Sequence, residues 1–253
     1  MIGIVGGIGP YAAVDLLSKV YDSTIANCDQ DHLDTVLLSM PSKIEDRTEY
    51  LVGKVKINPA YAIAEVLLKL QDSGATVAGI PCNTAHARNI FNVIQTELKK
   101  NKSSIKVLHM IEETVLYIKE NFPNMTRIGV LSTTGTYNSG IYESTLALNG
   151  YEVIQPTFEM VEELIHPAIY HPIYGIKTVS IPIHHQARKN LMQGIAYLKT
   201  QGAQSIIMGC TEIPLAITES KINELPTIDP TKILARALIR ILDPEKLKPL
   251  KII

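Results

Sequence analysis

Two of the three cysteines sit in settings that could do chemistry. Cys82 follows a short apolar run, Val77-Ala78-Gly79-Ile80, that Pro81 breaks, and it precedes Asn83, Thr84 and a helical pattern from Ala85. Such a run reads as a buried parallel strand, and Asn and Thr are good N-cap residues. Cys82 is therefore expected where a strand ends and a helix begins. There the positive end of a helix dipole favours the thiolate. Cys210 repeats the arrangement: Ser205-Ile206-Ile207-Met208-Gly209 leads into it, and Thr211 and Glu212 follow. One cysteine so placed could be a packed apolar residue. Two at equivalent positions suggest a pair working on one site.

Two acid–base groups flanking one carbon can take a proton from one face and return one to the other, which inverts the stereocentre. Each must come within about 3–3.5 Å of that carbon, which puts the two sulfurs roughly 7 Å apart with substrate between them. A thiol suits the task because its ordinary pKa of about 8.5 can be drawn toward neutrality. The carbanion needs donors nearby, and backbone N–H groups with Asn83, Thr84 and Thr211 are candidates. His86, close behind Cys82, either orients the loop or is an ordinary helix residue.

The elements that must position these thiols read as α/β. The chain has 253 residues, of which 46% are hydrophobic, enough for one large or two small cores. Ile2-Gly3-Ile4-Val5 is a short strand running into GGIGP and a helix over about 11–26, with Pro10 suited to its first turn. The match of residues 7–12 to G-x-G-x-x-A is set aside. The second strand, over 35–40, ends in Ser39-Met40-Pro41, where a ribose-binding acid is expected. Residues 43–51 read as a polar loop. Arg47 within it could grip a carboxylate bidentately, or be a solvated arginine beside Glu45 and Asp46. A helix over about 58–73, the strand before Cys82, a helix to about 99, a strand at 106–110 and a helix at 112–121 follow.

The pattern then restarts with Arg127-Ile128-Gly129-Val130-Leu131, a loop through Thr133 and a helix over about 139–149. Gly3 and Gly129 are 126 residues apart and Cys82 and Cys210 128, so the simplest reading is an internal duplication. Its halves are two α/β domains, 1–111 with 228–253, and 112–227. A strand at 151–154, a short helix at 159–165, a Pro-rich loop or broken helix at 166–183, a helix at 184–201, a last strand at 227–229 and a final helix at 230–242 complete the chain. Lys177, in the Pro-rich stretch, is a surface lysine or a ligand-binding one.

Composition narrows the partners. A net charge of −1 gives no field to draw nucleic acid or membrane, and no apolar run is long enough to span a bilayer. No basic n-region precedes the first strand, which argues against a secretory signal and for reduced thiols in a cytoplasmic setting. No C-x-x-C or H-E-x-x-H spacing points to metal.

GGIGP, EDRT, PCNTAH, IYHPIYGIK and GCTEIP, in this order along essentially the whole chain, resemble the cofactor-independent aspartate/glutamate racemase family. The resemblance implies two Rossmann-like α/β domains with mainly parallel sheets related by a pseudo-twofold. The active site would lie in the cleft between them, with no PLP or metal and commonly a homodimer. It implies that Cys82 and Cys210 are the two catalytic bases. It raises Arg47 and Lys177 to ligands of a substrate side-chain carboxylate. With Ile8, Asn83, Thr84, Thr133, Thr211 and Glu212 they form the candidate substrate-binding set. The Thr-Glu after the second cysteine looks like aspartate racemases, since glutamate racemases usually carry Thr-His there. Ile8 and Ala13 stand where the family often has Met and Thr. The expected activity is interconversion of L- and D-aspartate, with glutamate as the neighbouring substrate. A hydantoin racemase or maleate-type isomerase on the same fold is the alternative enzyme, and an amino-acid-binding protein the non-catalytic one.

Overall fold

The computed structural model describes residues 1–250. The chain divides into two compact units, Met1–Glu113 with the chain from Thr231 onward, and Thr114–Pro230. Among the described residues no helix is long and apolar enough to cross a membrane.

In the first unit the elements run β1 (Ile2–Gly6), α1 (Pro10–Ser23), β2 (Thr35–Ser39), α2 (Arg47–Leu51), α3 (Ala60–Asp72), β3 (Val77–Gly79), α4 (Arg88–Lys100), β4 (Lys106–Val107) and the start of α5 (Met110–Asn121). The strands form a fully parallel sheet of order β2-β1-β3-β4. β1 is buried along its whole length, because parallel strands joined by crossover helices are covered on both faces. Its side chains alternate. Val5 joins Ile63, Leu67 and Leu70 of α3 and Ile90 and Ile94 of α4. Ile2 and Ile4 join Leu16 and Val20 of α1 and Leu234 and Leu238 of the last helix. The helices after β1 and β3 therefore cover opposite faces.

The second unit continues with β5 (Arg127–Leu131), α6 (Thr134–Ser139), α7 (Ile141–Leu148), β6 (Glu152–Ile154), α8 (Phe158–Met160), a π turn (Val161–Ile165), α9 (His166–Tyr170), α10 (His185–Thr200), β7 (Ser205–Met208), α11 (Ile213–Ala216), β8 (Lys221–Ile222) and β9 (Leu225–Ile228). α12 (Pro230–Leu242) then returns to the first unit. The sheet order is β6-β5-β7-β9-β8, parallel except for β8. Apart from that edge strand, the order repeats that of the first sheet. α9, α10 and α11 cover one face, around Leu131, Ile165, Leu191, Ile206 and Ile213.

The structure revises several sequence expectations. The polar loop expected over 43–51 contains α2, because the Asp46 side chain accepts the Glu49 N–H and caps it. α6 begins at Thr134, earlier than expected, and Gly140 at φ 60° separates it from α7. Helix runs on through 158–170, where a break was expected from residue 166. The π turn just before Pro167 widens the ladder at the point where proline has no N–H to give and its ring would crowd the preceding turn. The β8–β9 hairpin was not expected. Its two-residue turn puts Asn223 at φ 49° and Glu224 at φ 68°, a primed-turn geometry usually marked by Asn-Gly.

Gly7 shows how tightly the loop after β1 is held. Its φ is +88°, and a Cβ there would lie 2.6 Å from the Pro41 nitrogen and 2.7 Å from the Met40 backbone. Gly53 has a similar φ of +77° with no heavy atom within 4 Å. Urea unfolding of the two alanine variants separates conformation from crowding. Gly53→Ala should cost about 1–2 kcal/mol for the left-handed backbone alone. Gly7→Ala should cost at least about 1 kcal/mol more, because the clash is with backbone. Equal losses would mean that the Met40–Pro41 backbone is not what confines this loop.

Candidate active site

In a sheet of order 2-1-3-4, the chain leaves the first and third strands toward opposite faces. A crevice therefore opens beyond their carboxyl ends. In the first unit the loops flanking that point are 7–9 after β1 and 80–83 after β3. In the second they are 132–133 after β5 and 209–212 after β7. Cys82 and Cys210 occupy the same topological place in their respective sheets, and both are buried.

The first unit gathers Ile8, Arg47, Cys82, Asn83 and Thr84, all of them buried. Asp46 starts α2 and so fixes where Arg47 leaves the backbone, and α2 packs on the turn Thr84–His86. Arg47, only 6% exposed, donates from Nη2 to the Ile8 carbonyl at 2.7 Å and from Nη1 to the Glu45 carbonyl at 3.1 Å. It thus ties α2 to the loop after β1. Neither sequence reading, a solvated arginine or a carboxylate grip, included this brace.

The helix start expected beside Cys82 differs from the one observed. Thr84–His86 is a single 3₁₀ turn, and α4 begins only at Arg88 with Ala87 at its N-cap. Asn83 precedes the turn without a side-chain cap bond, so the expected helix-dipole argument lacks its helix at this thiol. His86 is fully buried, and its Nδ1 bonds the Cys82 carbonyl at 2.8 Å. His86 lies at the end of the 3₁₀ turn, outside α4, and touches the loop through this bond.

The second unit gathers Lys177, Cys210, Thr211 and Glu212 into one bonded cluster. The Glu212 carboxylate is its centre and is 4% exposed. Its Oε2 accepts from Cys210 Sγ at 3.0 Å and from Thr211 Oγ1 at 3.2 Å. Its Oε1 pairs with Lys177 Nζ. A buried carboxylate needs such compensation. Burial works against the Lys177 ammonium, yet Glu212 outweighs it and holds its pKa above the ordinary lysine value. Burial first, and the Glu212 charge second, push the Cys210 thiol well above its ordinary value, while Lys177 pulls the other way. The expected lowering is overturned here, because the sulfur is buried and a carboxylate lies next to it. Lys177, read from sequence as a surface lysine or a ligand-binding one, is already engaged by Glu212.

Thr133 stands at the N-cap of α6, buried, with no side-chain cap bond. Its neighbour Thr134 bonds His166 Nδ1 through Oγ1 at 2.9 Å. The His166 ring stacks on Tyr170 at 4.6 Å, and Lys177 Nζ lies 5.5 Å from the centre of the Tyr170 ring. Sequence reading missed His166 and Tyr170. Their spacing of four is a helical signal, but Pro167 between them argued for a loop. Among the described residues no group of three or more His, Cys, Asp or Glu is placed to hold a metal ion.

Comparison with known proteins gives the chain a family and a fold. The Asp/Glu/hydantoin racemase family matches residues 5–238. The broad specificity amino-acid racemase RacX of Bacillus subtilis (strain 168) is 30% identical over 243 residues, spanning 94% of this chain and 96% of that protein. The solved Picrophilus torridus aspartate racemase superposes with a TM-score of 0.77 at 29% identity, covering 95% of this chain and 93% of that one. Glutamate racemase from Francisella tularensis, solved with D-glutamate, shares the fold with a TM-score of 0.61 at 21% identity, over 99% of this chain and 84% of that one. The chain belongs to the Asp/Glu/hydantoin racemase family, and the protein is an isomerase.

Proposed function

We propose that the substrate is an acidic amino acid, aspartate first and glutamate as its longer homologue. In this reading Cys82 and Cys210 are the two groups that exchange the Cα proton. The enzyme is an amino-acid racemase, so its chemistry is removal of a proton from one face of Cα and delivery to the other. The observation that carries the two-thiol reading is the matched placement of the cysteines, each after the third strand of a sheet with the same strand order. That is where such sheets bind their ligands. Each cysteine also has a cation on an adjoining element of its own unit, Arg47 and Lys177. These support recognition of a substrate with a second carboxylate, as does the name of the Picrophilus torridus relative, an aspartate racemase.

The hydrogen bond from Cys210 to Glu212 supports a first division of roles. A thiol that donates to a carboxylate is the proton donor, and Cys82 then acts as base for one hand of substrate. That turnover leaves Cys82 as the thiol and Cys210 as the thiolate, which is the state that takes the proton from the other hand. Thr211, Asn83, Thr84 and Thr133 are the candidate donors to the substrate carboxylates and the developing carbanion. The chain's own residues carry the proton transfer, without PLP or metal.

One observation favours a second reading, broader amino-acid specificity. The Lys177 charge is met by Glu212, so this cluster does not by itself demand a second substrate carboxylate. The Bacillus subtilis relative is named for broad specificity. Deuterium uptake at Cα in D₂O, followed by proton NMR over L- and D-amino acids, decides between them. Aspartate should exchange fastest. Comparable rates for neutral and basic amino acids would decide for the broad reading. No exchange on any amino acid, with turnover of a hydantoin or of maleate, would sink both.

Cys82→Ser and Cys210→Ser should each lower racemisation by at least ~10²–10⁴-fold, since one positioned acid–base group is lost. The surviving thiol should keep slow Cα exchange for one enantiomer, and the two variants should favour opposite hands. A shared preference would place both thiols on the same face of the carbon. Cys28 is exposed, and Cys28→Ser should match the wild type.

Glu212→Gln removes the negative charge beside Cys210 and leaves Lys177 to favour the thiolate. The Cys210 thiolate, read from the pH dependence of its iodoacetamide labelling, should then appear at lower pH than in the wild type. A shift to higher pH would show that Glu212 does not oppose ionisation of this thiol.

A further inference from the structure

Residues 80–86 are buried throughout, so the backbone polar groups of this loop must find partners inside the protein. At Cys82 both are accounted for. Its N–H donates to the Ile80 carbonyl at 2.8 Å, closing a three-residue turn about Pro81. Its carbonyl lies 2.8 Å from His86 Nδ1. A carbonyl only accepts, so the Nδ1 of His86 carries the hydrogen, and the tautomer of the ring is set.

The ring cannot easily move. Its face stacks on Phe91 of α4, with centres 5.2 Å apart and planes at 24°. His109 meets it edge-on at 4.8 Å. His109 is held in turn, since its Nδ1 accepts the Glu112 N–H at the start of α5. The imidazole is thus seated between the starts of two helices and reaches back to the peptide of the thiol. Burial, reinforced by His109, lowers the His86 pKa from 6.5 to about 3. The charged or titratable groups facing this cluster are His109 and, through it, Glu112. At neutral pH the ring is an uncharged donor.

We propose that His86 is a positioning residue for Cys82: its Nδ1–H···O=C bond fixes the peptide that carries the sulfur and so the direction from which the thiol meets Cα. This rests on the reading of Cys82 as an acid–base group. The bond acts on geometry alone. Reaction at carbon tolerates little error, and a displacement of about 1 Å can cost on the order of 10²-fold in rate.

The test compares Cys82→Ala, His86→Leu and His86→Asn. Asn offers an N–H donor at a similar reach, and Leu offers none. The readings are kcat and KM for racemisation, and the rate at which iodoacetamide labels Cys82, identified by peptide mapping. Cys82→Ala should be inactive; if it is active, the reading of Cys82 fails before that of His86. With Cys82 required, His86→Leu should lose about 10²-fold in kcat with KM within a few-fold of wild type. Its Cys82 labelling rate should change as well. His86→Asn should recover most of the kcat. Wild-type kcat and labelling in His86→Leu, or a folded His86→Asn as inactive as His86→Leu, overturns the proposal. The wild-type protein supplies a test that needs no variant to fold. Long-range ¹⁵N–¹H NMR should show a neutral His86 with its proton on Nδ1 at pH 7, and a proton on Nε2 alone would overturn the assignment.

Acid stability gives a further reading. The folded pKa lies below the unfolded one, so the unfolded chain binds the extra proton between about pH 6.5 and 3. Wild-type stability should therefore fall as pH drops through that window. His86→Asn should lose part of that slope. An unchanged slope would mean that the ring is not held neutral in the fold.

Discussion

A parallel strand covered on both faces cannot send all its connections the same way. β1 sits between β2 and β3, and its alternate side chains are buried against α3 and α4 on one side and α1 and α12 on the other. The chain must therefore leave the carboxyl ends of β1 and β3 toward opposite layers, and the loops part there. Everything at the first cysteine follows from this constraint. Gly7 lets the loop after β1 press on the Met40–Pro41 backbone, Arg47 ties α2 to that loop, and the loop after β3 brings Cys82 to the same edge. The second unit meets the same constraint with β5 between β6 and β7, and Cys210 stands at the equivalent edge.

Equivalent positions do not give equivalent electrostatics. Cys210 lies against a carboxylate whose charge is sustained inside the protein by Lys177 and by hydrogen bonds from Cys210 and Thr211. Removing one of these partners would leave a buried charge less well compensated. Cys82 is held by uncharged groups: a turn about Pro81 and a neutral imidazole. The fold thus repeats a topology while the local side chains give each thiol its own surroundings and its own means of being held in place.

What could be read from the sequence was whatever depends on short spacing and local pattern. The apolar runs at β1, β3, β5 and β7, the glycine turns after β1, the near-equal offsets between the halves and the two cysteines at strand ends were legible. Their signals are carried by neighbouring residues and by a repeat. The helix from Pro230 was legible because proline marks its start and its apolar residues keep helical spacing. Where one residue contradicted the local pattern, the reading failed. Pro167 hid a helix that a π turn accommodates, and Glu224 hid a hairpin whose turn geometry Asn223 alone signalled weakly.

The sequence by itself determined most of the strands and helices in their order, the residue types available for acid–base chemistry and the family to which the chain belongs. Only the tertiary structure decided what those residues touch. That Glu212 binds Cys210 and Lys177 together, that Arg47 bonds a carbonyl 39 positions away, and that His86 is sealed between Phe91 and His109 are facts of packing. The physical reason is that a side chain's charge and proton affinity depend on burial and on partners distant along the chain. Such contacts exist only once the sheet has brought separate loops to a common edge.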